Sequence, residues 1–170
     1  MGGPWRLNVG SGMDIRPGYV NVDRVPLAGV DVVMDASQRP FPFQDNVFDA
    51  VYMSHVLEHL PDTLGTMEEI HRIARPGASV IVVVPHYKHA NAFADPTHVR
   101  FFTEQSFDYF GTNAKSYYSK ARFDVIRVEK QYQYHIEKYV GRPFPRLLPW
   151  VETFLDNTVV QLTFTLRARK

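Results

Sequence analysis

The stretch from residue 7 to residue 23, LNVGSGMDIRPGYVNVD, sets the strongest limit on how this chain folds. A short apolar run meets the glycine turn GSG, and a second apolar run ends at Asp23. This order is typical of the start of a nucleotide-binding α/β fold. Such folds place a helix between the two runs, but only residues 13–18 remain for it, with a proline and a glycine among them. The ligand of this turn must therefore bind without a full helix behind it.

Apolar periodicity predicts the other elements of an α/β fold. Residues 79–84, SVIVVV, are apolar on both faces, as expected of a strand in the middle of a parallel sheet covered by helices. A helix is predicted from Asp62, its cap, to Ala74, with Glu68 and Arg72 able to pair one turn apart. Further strands are predicted at residues 7–9, 19–23, 30–34 and 48–53, and a second short helix at 103–110.

The C-terminal part has a different pattern. Residues 123–129 read as a half-polar strand, and apolar and polar residues alternate over 161–168, which favours an antiparallel pair. Between them, residues 131–157 are rich in aromatics and prolines, with Trp150, Phe154 and Leu155 expected on one face of a short helix. This insertion is either a cap over the sheet edge or a substrate lid. The prediction is a single α/β domain over residues 1–170 with a mostly parallel sheet.

Composition excludes several classes of protein. The net charge of +1 provides no field that would attract nucleic acid or an anionic membrane, so neither is expected as a partner. The chain has no cysteine, which excludes disulfides and thiolate metal sites. It shows no signal peptide and no apolar run of about 18 residues, so a soluble, cytoplasmic protein is expected.

Two acids that follow consecutive strands indicate a nucleoside ligand at the glycine turn. A carboxylate at Asp23 can accept hydrogen bonds from both hydroxyls of a ribose, and Asp35 can accept from the amine of an adenine. Alternatively, each acid forms a turn or a helix cap. A dinucleotide carries a pyrophosphate, which is normally held by the missing helix. S-adenosylmethionine has an adenosine but no phosphate, and it fits this turn better.

Residues 42–51, PFQDNVFDAV, followed by 54–60, SHVLEHL, and by 75–77, RPG, strengthen this interpretation. With these motifs the chain resembles the class I S-adenosylmethionine-dependent methyltransferases, in the small-molecule, type 11-like branch, over about residues 6–110. The resemblance implies a Rossmann-like fold with a seven-stranded sheet and an antiparallel C-terminal strand pair. It implies a three-layer sandwich, here with reduced helices on the N-terminal half.

The resemblance also implies the cofactor site residue by residue. The glycine turn would line the methionine part, Asp23 would hold the ribose, Asp35 and Ala36 the adenine, and Ser54 and His55 would form the floor near the sulfonium. These cofactor-binding residues are Gly10, Ser11, Gly12, Asp23, Asp35, Ala36, Ser54 and His55. The family usually has an N-terminal helical segment over the cofactor, whereas this chain starts almost at the first strand and is expected to be truncated there. A homodimer that covers this bare edge is one expectation.

Histidines after the fifth predicted strand are the candidate catalytic groups. Methyl transfer to a hydroxyl or an amine needs an aligned acceptor and a base, and histidine is the natural base near neutral pH. His86 or His98 would be the base, with Asp95 orienting it, and the resemblance includes the D-P-T-H pattern at 95–98. No metal is expected, although His86, His89, Asp95 and His98 could also assist as metal ligands.

Residues 55–59, HVLEH, also match the inverted zinc-protease motif H-x-x-E-H. That chemistry needs both histidines on one helix, but Pro61 interrupts the segment. The zinc hydrolase is therefore the weaker alternative. The prediction is S-adenosylmethionine-dependent methyl transfer to an oxygen or nitrogen of a small molecule, with aromatics from 131–157 enclosing the acceptor. A non-catalytic adenosyl-binding module that recognises a partner is the other alternative.

Overall fold

A computed structural model describes residues 5–111 and 116–170, and within them seven strands form one sheet. The sheet order is β3-β2-β1-β4-β5-β7-β6, and only β7 runs antiparallel to its neighbours. The strands are β1 Arg6–Val9, β2 Val20–Asp23, β3 Val32–Val33, β4 Phe48–Ser54, β5 Ala74–Pro85, β6 Phe123–Tyr132 and β7 Val159–Ala168. The predicted α/β fold with a mostly parallel seven-stranded sheet and an antiparallel C-terminal pair is confirmed.

Helices are few and short in the described part of the chain. The α-helices are α1 Thr63–Ile73, α2 Asn91–Ala94, α3 Tyr134–Ile136 and α4 Leu148–Phe154. Single 3₁₀ turns lie at Leu57–His59, Asp108–Phe110, Ser116–Tyr118 and Pro145–Leu147, and a π-type turn lies at Glu137–Gly141. None of the described helices combines the length and the apolar composition needed to cross a bilayer.

Helix α1 forms where its sequence predicts, with one difference in its ion pairs. The side chain of Asp62 accepts a hydrogen bond from the amide of Gly65, which caps the first turn. The apolar face of α1 packs into the core against the sheet. Arg72 pairs with Glu69 at 2.8 Å and with Asp45 at 2.7 Å, so the expected pair with Glu68 is wrong. The carboxylate of Glu68 is instead bonded to the segment that precedes β6.

The core lies on one face of the sheet. Alternate residues of β5 and β7 meet there in register, and each of them is buried: Val80 with Leu166, Val82 with Phe164, and Val84 with Leu162. On the opposite face, Ile81 of β5 and its neighbours Tyr52 and Thr165 are only half-buried. Strand β5 is therefore central, as predicted, but its side chains are more deeply buried on one face of the sheet than on the other.

A polar loop takes the place of a helix on this shallower face. The guanidinium of Arg16 lies 3.4 Å from the ring centroid of Tyr52, which covers the middle of the sheet. The carbonyl oxygen of the buried Asn21 side chain accepts from the Asn8 side chain and from the amide of Arg16. Asp31 accepts from the amide of Asn21 at 2.7 Å. This network holds residues 10–19 against the strands, and it accounts for the reduced helices on the N-terminal half.

One predicted helix does not form. Residues 103–110 make consecutive turns that end in the 3₁₀ turn Asp108–Phe110. The hydroxyl of Ser106 accepts from the amide of Thr103, and the amide of Ser106 donates to the carbonyl of Thr103. These three-residue contacts replace the bonds of an α-helix. They let Phe107 and Phe110 both enter the core, where they are buried.

The connection between β6 and β7 crosses the carboxyl edge of the sheet. Helix α4 forms there as predicted, and Trp150 and Phe154 stack on each other with ring centroids 5.9 Å apart. Both side chains are mostly exposed, and so is Leu155, at 53%. That aromatics of this connection enclose an acceptor stays a prediction.

The order of the strands determines where a ligand can bind. From β1 the chain runs outward to β2 and β3 on one side, and it then returns to β4 and β5 on the other side. In open parallel sheets ligands bind beyond the carboxyl ends of the strands at such a reversal. The crevice between the ends of β1 and β4 is therefore the place to look for the site.

Candidate functional site

The glycine turn lies at the carboxyl end of β1, as predicted. Gly10 and Gly12 both adopt left-handed backbone angles, with φ of 64° and 48°. A β-carbon on Gly10 would lie 2.2 Å from Cγ2 of Val56, so only glycine fits there. A β-carbon on Gly12 would have no atom within 4 Å, so the space before it is open. The Ser11 hydroxyl is buried and has no hydrogen-bond partner among the described residues.

Asp23 lies at the same edge and is bonded directly to this turn. Its Oδ2 accepts from the amide of Gly12 at 2.8 Å, and its Oδ1 accepts from the amide of Val25 at 2.9 Å. Each carboxylate oxygen can accept a second hydrogen bond. Asp23 therefore shapes the turn and still has lone pairs for a ligand, so its predicted turn-forming and ligand-binding roles do not exclude each other.

Asp35 and Ala36 follow the third strand, one position further along the edge. The Oδ1 atom of Asp35 accepts from the amide of Ser37 at 2.8 Å. The hydrogen bonds from Ser37 hold the pKa of the Asp35 carboxyl below its usual value, so it is ionised at neutral pH. The structure thus places Asp35 at the carboxyl edge where the sequence predicts it, beyond Asp23.

Ser54 ends the fourth strand on the other side of the crevice, and His55 follows it. His55 has a φ of 54°, a left-handed conformation that is uncommon for a residue with a side chain. Its amide donates to the carbonyl of Val83 at 2.9 Å, which holds the backbone in place. Its ring lies 3.2 Å from Oε1 of Glu58 and 3.0 Å from Oε1 of Gln161. The hydrogen bond to Glu58 raises the pKa of His55 against the opposing effect of burial.

His98 lies behind this segment, close to two carboxylates. Its Nδ1 lies 3.0 Å from the carbonyl oxygen of Ala92, and it can only donate to that atom. Its Nε2 lies 4.0 Å from Glu58 Oε1 and 3.9 Å from Asp95 Oδ2, too far for a hydrogen bond to either. Asp95 is therefore beside His98, as predicted, but it does not orient the ring through a direct bond.

His86 belongs to a different group of side chains. It is buried after β5, 3.8 Å from Glu104, and neither ring nitrogen has a hydrogen-bond partner within the described ranges. Burial lowers the pKa of His86, which keeps the ring neutral. Lys130 lies 2.6 Å from Glu104 and 2.5 Å from Glu152 of α4, so this group also attaches the β6–β7 connection to the sheet. The predicted catalytic residues thus fall into two sets, His98 with Asp95 and His86 with Glu104.

The segment HVLEH does not have the geometry of a zinc-protease helix. Leu57–His59 is a single 3₁₀ turn, and His55 lies outside it in a left-handed conformation. His89 does not join His98 either, because its ring contacts Gln133 and the amide of Asn91. The grouping of Glu58 and His59 with His98 was not predicted. In the sequence, Glu58 and His59 belong to this motif and His98 to the D-P-T-H pattern, and no spacing rule joins the two.

We expect His86 to make the folded protein less stable in acid. Its pKa in the folded protein is lowered, so the unfolded chain binds a proton more tightly. The contribution of neutral His86 is therefore complete above the ordinary imidazole pKa of about 6.5, and it is lost as the pH falls through that value. Urea unfolding of the wild type and of His86→Gln between about pH 5 and 8 measures this effect.

The wild type should lose more stability than His86→Gln as the pH falls, and the difference should disappear above neutrality. His135→Gln, at an exposed position, should follow the wild type. Equal pH dependence in wild type and His86→Gln would contradict the neutral, buried state of His86.

Comparison with known proteins agrees with this geometry. A family model described as "Methyltransferase domain" matches residues 8–82. Cycloartenol-C-24-methyltransferase 1 of Oryza sativa subsp. japonica is 38% identical over 73 residues, which are 39% of this chain and 21% of that protein. Demethylmenaquinone methyltransferase of Staphylococcus epidermidis is 29% identical over 73 residues, 42% of this chain and 30% of that protein. The matches thus span less than a third of these relatives.

Solved structures share the fold over almost the whole chain. A SAM-dependent methyltransferase from Archaeoglobus fulgidus superposes with a TM-score of 0.70 at 16% identity, covering 96% of this chain and 86% of that one. Phosphoethanolamine N-methyltransferase 2 of Haemonchus contortus, in complex with S-adenosyl-L-methionine, superposes with a TM-score of 0.59 at 16% identity. The superposition covers 99% of this chain and 49% of that one. Together, the family match over residues 8–82, the strand order and the glycine turn make this chain similar to the class I S-adenosylmethionine-dependent methyltransferases.

Proposed function

We propose that this protein binds S-adenosylmethionine and transfers its methyl group to an oxygen or nitrogen of a small molecule. The observation that carries the proposal is the open space in front of Gly12, beside the buried and unpartnered hydroxyl of Ser11. A buried hydroxyl without a partner costs free energy unless a ligand supplies one. Asp23 and Asp35 lie along the same edge, as an adenosine would require.

The cofactor lies along the carboxyl edge in this proposal. Its methionine part contacts the glycine turn, its ribose hydroxyls donate to Asp23, and its adenine amine donates to Asp35 beside Ala36. The sulfonium then lies near Ser54 and His55, at the end of β4. Because the cofactor has no phosphate, residues 10–19 can remain a loop.

The reaction is an in-line displacement at the methyl carbon. The acceptor atom forms a bond to this carbon while the carbon–sulfur bond breaks, and the electron pair of that bond stays on sulfur. The proton of a hydroxyl or amine acceptor passes to a neutral imidazole. His98 and His86 are the two proposed bases: Nε2 of His98 has its lone pair available beside Asp95, and His86 has two unpartnered nitrogens among the described residues.

The acceptor extends from the methyl group across the crevice toward the connection between β6 and β7, which we propose acts as a lid. A cavity of about 530 Å³ lies there, with Thr163, Tyr132, Arg142 and Leu148 in its wall. Thr163 is in register with Val83, the neighbour of Ser54, so the cavity lies about 10 Å across the sheet from the end of β4. The volume is typical of small-molecule sites.

We also propose that a second copy of the chain covers the edge strand β3. Val25, Leu27 and Val33 are exposed there, with Val33 at 58%. Apolar side chains that are exposed together on this strand and on the connection before it favour association. Light scattering during gel filtration should give the mass of a dimer, and Val33→Lys should yield a monomer. A wild-type monomer at about 0.1 mM chain would contradict the dimer.

Binding of the cofactor is the first test. We expect S-adenosylmethionine and its demethylated product to bind in calorimetric titrations, and Asp23→Ala to weaken binding by about 1–3 kcal/mol by leaving ribose hydroxyls unpaired. Asp23→Asn, which keeps one acceptor oxygen for the turn, should weaken binding less. Asp124→Asn on the distant strand β6 is the matched control and should bind like the wild type.

If neither compound binds at millimolar concentration, the enzyme proposal fails. If both bind but no methyl transfer occurs to any hydroxyl or amine acceptor, the adenosyl-binding module becomes the better interpretation. Unchanged affinity of Asp23→Ala would show that this residue only shapes the turn.

Turnover tests the proposed bases. His98→Ala should lower methyl transfer about 10²- to 10⁴-fold, the usual contribution of a general base, while the affinity for S-adenosylmethionine stays intact. His86→Ala should show a comparable loss only if it is the group that takes the proton. A collapse of thermal stability in His98→Ala, with full activity in the remaining folded protein, would instead assign His98 to the core.

A further inference from the structure

We propose that Glu58, His59 and His98 form a binding site for one divalent transition-metal ion, with Asp95 at its rim. Within residues 5–111 and 116–170, one potential ligand atom from each of the three lies within 4.8 Å of the other two. Tetrahedral ligands at bond lengths of about 2.0–2.2 Å stand about 3.4 Å apart. The side chains therefore need to approach one another by about 1.4 Å at most.

In both histidines a hydrogen bond occupies Nδ1, which leaves Nε2 as the atom that can bind a metal. His98 donates from Nδ1 to the carbonyl of Ala92, which leaves the lone pair on Nε2 facing Glu58 and Asp95. The hydroxyl of Thr97 donates to Asp95 at 2.6 Å, so at 2.8 Å it accepts from Nδ1 of His59. The lone pair of His59 is therefore also on Nε2. Metal-bound histidines usually donate their other nitrogen to a carbonyl or to a carboxylate-linked group in this way.

The carboxylate of Glu58 is buried, and only one of its oxygens has a hydrogen-bond partner among the described residues. Its side chain is 1% exposed, and Oε1 lies 3.2 Å from His55. Its Oε2 is buried and has no hydrogen-bond partner in the described part of the chain. Burying an ionised carboxylate is costly unless it is paired or bound to a metal. A cation bound by the Glu58 carboxylate removes this cost, and the orphaned Oε2 is an observation independent of the clustering of the three residues.

The backbone fixes the two segments that carry the ligands. The carbonyl of Glu58 accepts from the amides of Val99 at 2.8 Å and Arg100 at 3.1 Å. The guanidinium of Arg100 also donates to the carbonyl of Pro61. The turn with Glu58 and His59 is thus bonded directly to the turn with Asp95 and His98. Because the backbone is held, small rotations of the side chains are enough to close the site.

The ligand set defines the class of ion. Two imidazoles and a carboxylate, in a chain with no cysteine, suit zinc and its first-row neighbours better than magnesium or calcium, which prefer oxygen. Three protein ligands leave a fourth position open, as in catalytic sites. Val56, which packs against Gly10, joins this site to the glycine turn.

The substrate class follows from that open position, and this step rests on the proposed function. An oxygen of the acceptor can occupy it, and a metal-bound hydroxyl loses its proton more readily. The structure thus points to a hydroxyl acceptor rather than an amine. Since the lone pair of His98 is then used for the ion, the proton passes to His86, whose ring nitrogens have no partner among the described residues.

The test is a metal titration without any cofactor. Chelator-stripped protein is titrated with Zn²⁺ by calorimetry and with Co²⁺ by visible absorption. We expect one ion per chain, the d–d bands of a four-coordinate Co²⁺ site, and a metal-dependent rise in melting temperature. Glu58→Gln and His98→Gln should each weaken binding at least tenfold. His135→Gln, at an exposed histidine outside the cluster, is the matched control and should bind like the wild type.

Absence of Zn²⁺ and Co²⁺ binding at millimolar concentration would overturn the site, as would unchanged affinity in both variants. Circular dichroism establishes that each variant folds, and His59→Gln replaces any variant that does not. Titration with S-adenosylmethionine in the presence of chelator reports on the proposed function separately. Metal binding without cofactor binding would refute the proposed function alone, whereas cofactor binding without metal binding would refute the metal site alone.

Discussion

The contact between Gly10 and Val56 is the constraint on which both candidate sites depend. Strands β1 and β4 are neighbours, with Val9 in register with Met53, so the turns that follow them meet at the carboxyl edge. A β-carbon on Gly10 would lie 2.2 Å from the side chain of Val56, and the absence of that carbon lets the turns touch. This contact places the glycine turn beside the segment that carries His55 and Glu58. The proposed cofactor site and the proposed metal site are thereby brought to one crevice.

The loop over the N-terminal half shows how a class I fold can dispense with a helix. A helix would satisfy its own backbone and cover the sheet with apolar side chains. Here Asn8 and Asn21 are buried polar residues whose hydrogen bonds go to each other and to the loop. Buried polar groups are stable only when they are satisfied in this way. Arg16 completes the cover by stacking on Tyr52, and the glycine turn stays free of a helix that an adenosyl ligand does not need.

Local patterns predicted the elements whose stability is mostly local. The cap at Asp62 needs only the amide of Gly65 three residues later, and the alternation along β7 follows from the period of a strand. The expected pair of Glu68 with Arg72 and the expected helix at 103–110 were wrong. Arg72 pairs instead with Asp45, which lies in a loop far away in the sequence. In residues 103–110, the burial of Phe107 and Phe110 outweighs the helical propensity of the segment.

The sequence by itself determined the fold class, the glycine turn and the acids that follow the strands, because these depend on residue type and on spacing along the chain. Only the tertiary structure decided that His86 lies with Glu104 and that His98 lies with Glu58. These contacts join residues 18 to 40 positions apart across connections whose course follows no period. The buried state of Glu58 was likewise invisible in the motif HVLEH, because burial depends on what packs around a side chain and not on its neighbours in the chain.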